Sequence, residues 1–447
     1  MGRSYEMRIF LIILISALFS HFSFAEKIAI KNNPLATEDQ HTLDQLATHI
    51  YQTYPFTSLR ENAKEVYVKA YKKPLTKEAE SVLNAAIDEL IFSSIQKAVN
   101  DDPYHPKVGW VQSGPREWFG LDVPGGRYAY DNPDNIYRVV PIDEKLRYVI
   151  HGIRHSVLAD ASFSLIDNIN SLKTVAILTN QELVLNSDGT YDITVDNQPA
   201  NGRINHLQST RKTRQLLIRN DLGNWQDEMP DSLTAELLDN NINHLPMSEA
   251  RMVAHAAEII RICTFGYGFG ALGVKTKAKF HPVNTLSKPN PPSRLGGLVT
   301  QTASYGYFEL DDTEALVLTL DPAGAHYFVI PETGPWMTSL DPGHCQSSLN
   351  NMQSFANADG KYRFVISRKD PNVYNWISTC DLHEGTIMVR WQVLPDKNKV
   401  PPIQTAVVPL SDLAIVLPSD TQWITPLERQ QLQSARLEGY QKRSANV

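Results

Sequence analysis

Between Thr37 and Val99 the apolar positions recur at helical spacing. Leu43, Leu46, Ala47 and Ile50 fall at i, i+3, i+4 and i+7, and Val82, Leu83, Ala86, Leu90 and Ile91 repeat the stripe. Pro55 and Pro74 interrupt the run, so it predicts several amphipathic helices instead of one. Thr76, followed by Glu78 and Glu80, has the makings of a helix start: a side-chain oxygen for a free N–H and negative charge in the first turn. After Asp101 the texture changes. Tyr104, Trp110, Trp118, Phe119, Tyr128, Tyr130 and Tyr137 crowd among Gly and Pro, which predicts irregular, packed chain. Such rings could form a sugar-stacking platform, but a packing layer between the helices and the β region is the preferred reading.

Beyond Asn135 the pattern becomes that of strands, rich in β-branched and aromatic residues: Tyr137–Ile142, Arg147–Ile153, Ala161–Ile166, Thr174–Thr179, Tyr191–Val195 and Gln215–Arg219. Asp188-Gly189 and Asn201-Gly202 supply the positive φ of tight turns. An amphipathic helix is predicted from Ser248 to Phe265, and a second near the end from Pro426 to Lys442. Gly266–Gly273 and Lys288–Gly297 read as linker.

The later strands repeat the earlier ones. Val139–Asp143 followed by Tyr148-Val149-Ile150 resembles Leu316–Asp321 followed by Tyr327–Ile330. Asn186, Asp188, Gly189, Tyr191, Asn205, Thr210 and Arg219 then correspond in order to Asn357, Asp359, Gly360, Tyr362, Asn375, Thr379 and Arg390. This long period suits two related β domains, not a solenoid. The predicted fold is mainly β with α: a helical N-terminal region, then two related antiparallel β-sandwich domains of jelly-roll type linked by a helix. The boundaries are 26–102 for the helical region, 103–245 and 298–425 for the sandwiches, 246–297 for the connection and 426–447 for the C-terminal helix.

Ahead of this, Arg3 and Arg8 precede an apolar run, Ile9–Phe19, that is short for a membrane span, and Ser23 and Ala25 are small residues at −3 and −1. A signal peptide over 1–25, cleaved after Ala25, is expected, with a periplasmic or secreted product. Met7 is an alternative start and an uncleaved anchor the alternative reading. Glu26 stands where a lipoprotein has Cys, so no lipid anchor is expected. Nothing later reaches spanning length. A net charge of −7 disfavours a nucleic-acid partner, which needs a concentrated basic surface. The three cysteines allow one bridge at most: Cys345 with Cys380, or none, with Cys263 inside an apolar helix.

The segments Ser187–Tyr191, Asn205-His206-Leu207, Leu217-Ile218-Arg219, Gln346–Asn350, Asp359-Gly360, Asp370–Trp376 and Val389-Arg390-Trp391 resemble uncharacterised bacterial proteins carrying domain of unknown function 1214. The resemblance runs from about Pro133 to Val393 and implies a β-sandwich or jelly-roll architecture without an established activity. Where that pattern commonly has Gly and His after its Asn-Trp pair, this chain has Asp381 and Leu382, with His383 displaced by one.

Chemistry is sparse. Asn350, Asp370, Asn375, Trp376 and Arg390 form a candidate ligand-binding set, because an indole face stacks on pyranose C–H groups while amides, carboxylates and guanidinium bind hydroxyls. The same residues could instead cap turns and fill the core. Asp134, Asp143, Asp370 and Glu384 are candidate carboxylates for hydrolysis by position alone. His151 and His155, about 13 Å apart along a strand, cannot share one metal ion. Gly268, Gly270 and Gly273 match G-x-G-x-x-G but follow a helix, so they indicate a hinge or close packing and not a dinucleotide site. No cofactor and no metal are expected. The expected function is binding of a polar ligand such as a glycan by an exported protein. A hydrolase or lyase acting on an envelope or environmental polysaccharide, and a structural envelope protein without a site, are the alternatives. Oligomeric state stays open.

Overall fold

The computed structural model describes residues 33–71, 73–167, 173–239, 244–276, 282–291, 297–396 and 399–444; the leader lies outside them. Three helices come first: α1 (Glu38–Thr53), α2 (Thr57–Tyr71) and α3 (Lys77–Val99). Thr37 and Thr76 cap α1 and α3, their hydroxyls accepting from Gln40 N and Ala79 N. From Leu90 to Val99 every side of α3 is buried, because other elements surround that end. The aromatic stretch holds three short strands, β1 (Gly109–Val111), β2 (Arg116–Trp118) and β3 (Leu121–Val123). Its Trp110, Trp118, Tyr128 and Tyr130 are buried in the same core as the helices, so it is a packing layer.

The first sandwich follows: β4 (Asn135–Pro141), β5 (Tyr148–Ile153), β6 (Asp160–Ile166), β7 (Thr174–Thr179), β8 (Thr190–Asp196), β9 (His206–Gln208), β10 (Gln215–Asp221) and β11 (Ser232–Leu237). One sheet runs β1-β4-β10-β6-β7 and the other β11-β5-β8-β9. Val140, Phe163, Leu216 and Ile218 of the first sheet meet Tyr148, Ile150, Ile193 and Val195 of the second, one alternating face from each strand. Successive strands often switch sheets, in the manner of a jelly roll.

The connecting helix α4 (Glu249–Cys263) buries Met252, Ala256, Ile259, Ile260 and Cys263 against α2 and α3. The glycine-rich segment expected to be a linker instead prolongs it as a wider π-helix, Thr264–Thr276. A Cβ at Gly268 would come within 2.9 Å of Val66 and Tyr67, so glycine there admits close packing on α2.

The second sandwich comprises β12 (Thr285–Leu286), β13 (Gln301–Glu309), β14 (Glu314–Leu320), β15 (Tyr327–Thr333), β16 (Ser348–Asn350), β17 (Tyr362–Ser367), β18 (Trp376–Ser378), β19 (Glu384–Gln392) and β20 (Ile403–Pro409). Its sheets run β12-β13-β19-β15-β16 and β18-β17-β14-β20, the same orders as in the first. Asp188-Gly189 and Asp359-Gly360 both precede the equivalent strands β8 and β17, with glycine φ of 82° and 75°, and Arg219 and Arg390 lie on the equivalent β10 and β19. Leu316–Leu320, however, is β14 and pairs by topology with β5, not β4; short apolar strands look alike, and the sequence match slipped by one strand. Pairing is antiparallel except for β8–β9 and β17–β18, which are parallel. A Cys345–Cys380 disulfide closes one end of this sandwich.

A short helix, α5 (Leu413–Val416), leads to the terminal α6 (Pro426–Gln441). Thr425 and Glu428 form a reciprocal capping box with Pro426 in the first turn. No described helix is long and apolar enough to cross a membrane.

Candidate functional site

The five residues singled out from the sequence do not converge on one another. Asn350, with 0% exposure, donates from Nδ2 to Asp134 Oδ2 at 2.8 Å and Gly223 O at 2.9 Å, and its Oδ1 accepts from Met352 N and Gln353 N. Asn375 clamps backbone: Nδ2 donates to Phe355 O and Arg363 O, and Oδ1 accepts from Phe355 N. Asp370 accepts from Asn372 N within its turn and from Arg429 Nε at 2.9 Å. The Arg429 guanidinium also lies 5.1 Å over the Trp376 ring, whose Nε1 donates to Ser367. Arg390 is buried and donates to Tyr130 O. The protein itself occupies the polar atoms of Asn350, Asn375, Asp370 and Trp376 in turns, backbone clamps and a helix clasp, while Arg390 Nη1 is buried with no partner among the described residues.

Four of them nevertheless stand behind one open cleft of about 220 Å³. It is lined by Gly223–Gln226 of the first sandwich, Gln346, Leu349, Met352, Gln353 and Tyr374 of the second, and Leu432, Ala435 and Arg436 of α6. Asn350 fixes three wall residues at once through Gly223, Met352 and Gln353. Asn375 holds Phe355, whose ring meets Tyr374 edge-on at 4.5 Å. Asp370 and Trp376 hold Arg429, which keeps α6 seated on the second sandwich.

Two glycines let the three elements close up. A Cβ on Gly223 would lie 2.1 Å from Met352 Sδ, and one on Gly439 would lie 3.0 Å from the Trp225 backbone. Trp225 donates to Asp134 Oδ1 at 2.9 Å, while the Arg436 guanidinium stacks 4.1 Å over the indole. Arg436 donates to Pro342 O and Ser348 Oγ and, at 3.5 Å, to Gln353 Oε1. Among the described residues it has no carboxylate within ion-pair distance. Burial lowers its pKa to about 10, opposed by the field of the more distant Asp134. The Tyr374 hydroxyl and Gln353 Nε2 have no partner among the described residues. The cleft therefore offers a cation, a free hydroxyl, a free amide donor and aromatic surface. It lies at a domain seam, where ligand sites are common.

The candidate carboxylates lie elsewhere or behind the wall. Asp134, with 0% exposure, accepts from Trp225, Tyr327 and Asn350; burial pushes its pKa up, and the bonds from Asn350 and Tyr327 act against this. Asp143 caps a turn through Lys145 N. Glu384 accepts from Tyr71, Thr76 (2.6 Å), Tyr307 and Lys73 (2.8 Å), which bring its pKa down to about 2 despite burial. His151 bonds Asp192 (2.7 Å) and Glu236 (3.4 Å), and His155 bonds Ser232 (2.7 Å), as separate surface groups.

The lining residues that sequence reasoning missed, Trp225, Gln353, Tyr374 and Arg436, belong to three distant regions. Only Gly223-Asn224-Trp225, an indole in a polar turn, carried a local signal.

No family model matches this chain, and no curated protein matches it. Among solved structures it is similar to an uncharacterised protein from Burkholderia cenocepacia, with a TM-score of 0.68 at 20% identity over 83% of this chain and 100% of that one. A weaker likeness is to the VPA0106 protein from Vibrio parahaemolyticus, with a TM-score of 0.40 at 10% identity over 78% of this chain and 100% of that one. The first likeness extends to the fold alone.

Proposed function

We propose that this protein is exported and binds a small, hydroxylated, acidic ligand of the sugar-acid class in the cleft between its two sandwiches and α6. The observation carrying this reading is Arg436, a guanidinium stacked on Trp225 at the cleft wall with no carboxylate paired to it among the described residues. A ligand carboxylate would complete that pair by a bidentate bond, and its hydroxyls would take up Tyr374 and Gln353. Export is supported by the leader pattern of residues 1–25 and by the Cys345–Cys380 bridge, which suits an oxidising compartment. Kinship with the domain of unknown function 1214 proteins belongs to the same proposal and names no activity.

Titration with galacturonate and glucuronate, followed by tryptophan emission and calorimetry, tests the binding. Saturable binding that Arg436→Met weakens at least about tenfold is expected, the loss of one charge-assisted pair. Equal affinity of the variant, or no binding of either acid, would overturn the reading. N-terminal sequencing of the periplasmic fraction should begin at Glu26.

A further inference from the structure

A second cluster of polar side chains lies away from the cleft, where the turn after α3 meets the segment leading into α4. Asp102, His105 and His244 each present a ligand atom there, all within 4.8 Å of one another. We infer that these three residues bind a divalent transition-metal ion of the zinc class.

Around a tetrahedral ion with bonds of about 2.0–2.1 Å, neighbouring donor atoms sit roughly 3.3 Å apart. His105 Nδ1 and Asp102 Oδ2 are already 3.0 Å apart. The remaining closure falls on His244, whose ring stacks on Tyr104 at 4.0 Å with 6° between planes. Neither ring nitrogen of His244 has a hydrogen-bond partner among the described residues, so its lone pair is available. The carboxylate is held from behind: Tyr104 N donates to Asp102 Oδ1 at 3.0 Å and Met247 N to Oδ2 at 3.2 Å, the outer-shell support that orients a metal ligand. His105 N donates to Asp102 O, and Tyr148 OH to Pro103 O, so the turn is fixed from both sides. Two imidazoles and one carboxylate suit zinc better than calcium or magnesium, which prefer all-oxygen sets. His244 is exposed, which leaves a fourth position to water. Bound metal would pin the segment before α4 to the end of the α3 region.

The experiment is calorimetric titration of the chelator-treated full chain with ZnCl2, with CoCl2 as a visible-absorption probe. One equivalent of Zn2+ is expected, with a tetrahedral Co2+ band. His105→Ala and His244→Ala should each lower affinity at least about tenfold, as loss of a ligand does. His151→Ala, which removes an exposed histidine bonded to Asp192 and Glu236 outside the proposed site, should leave affinity unchanged. No stoichiometric uptake, undiminished affinity in the His105→Ala/His244→Ala double variant, or loss on His151→Ala would each overturn the assignment.

Discussion

Asn350 Nδ2 donates to Asp134 Oδ2 at 2.8 Å, a buried bond that joins the second sandwich to the first across 216 positions of the chain. Tyr327 OH, also from the second sandwich, reaches the same oxygen at 2.7 Å, and Trp225 from the first reaches Oδ1. Asp134 is thus one of the buried points at which the two copies are tied. Replacing Asn350 by Leu removes a donor from a carboxyl that water cannot reach and frees Gly223, Met352 and Gln353. A loss of about 2–4 kcal/mol in urea unfolding is expected, together with weaker binding at the cleft. An unchanged unfolding midpoint would show that the bond is dispensable.

The seam also has a pH signature. Asp160 and Asp221 face each other across β6 and β10, and Gln392, with its amide nitrogen turned toward them, bridges both. Burial first, then the neighbouring carboxylates Asp160 and Asp134, raise Asp221 from 3.8 to about 8. The folded state therefore keeps a proton that the unfolded chain releases. Its contribution is complete below about pH 4 and is lost as pH rises through about 8. Asp221→Asn should flatten the denaturant midpoint against pH in that window. A variant curve as steep as the wild-type one would show that another group carries the slope.

Glu384 behaves in the opposite sense. Held down to about 2 by Lys73, Thr76, Tyr307 and Tyr71, it stabilises the fold above pH 4.5, and this is lost as pH falls through about 2. Glu384→Ala removes the acceptor of the Tyr71 and Tyr307 hydroxyls and leaves Lys73 with Glu309 as its remaining carboxylate partner among the described residues, which should cost about 1–3 kcal/mol at pH 7. The effect should nearly vanish in unfolding measured near pH 2.

The Cys345–Cys380 bridge spans 35 positions and ties the approach to β16 to the turn before β19. Loop-closure entropy puts its contribution at roughly 4 kcal/mol. Dithiothreitol should lower the thermal midpoint, and the Cys345→Ser/Cys380→Ser variant should start low and ignore the reductant. A reductant-sensitive double variant would point to another target.

Among the described residues one buried carboxyl stands without a hydrogen-bond partner. Glu332 lies on the inward face of its strand in the second sandwich with 0% exposure, and neither Oε atom is hydrogen-bonded among the described residues. Desolvation alone raises its pKa well above 4.5, so its stability contribution is also lost as pH rises. Glu332→Gln should stabilise the protein at pH 8 by about 1 kcal/mol or more, since no buried charge can then form. A destabilised variant would indicate a partner that the carboxylate alone can bind.

Much of the fold was legible because it is written locally. The i, i+3, i+4 stripe from Leu43 to Ile91 marked the helices, Asp188-Gly189 and Asp359-Gly360 marked equivalent turns, and the interruption at Pro74 fell between α2 and α3. The glycine run after Cys263 misled, because close packing on α2 recruits the same residue that a flexible linker uses. The candidate ligand set misled differently. Asn350, Asp370 and Asn375 have the polarity of binding residues, but backbone groups and Arg429 reach them first.

The sequence by itself determined the helices, the strands, the paired turns and the doubled β pattern, since each depends on residues a few positions apart. Only the tertiary structure decided that β14 answers to β5, that Cys345 meets Cys380, and that Trp225, Tyr374 and Arg436 share one cleft. Those outcomes depend on which faces remain once two sandwiches and a terminal helix have buried their apolar sides together. That balance is struck over contacts hundreds of residues apart, beyond the reach of any local periodicity.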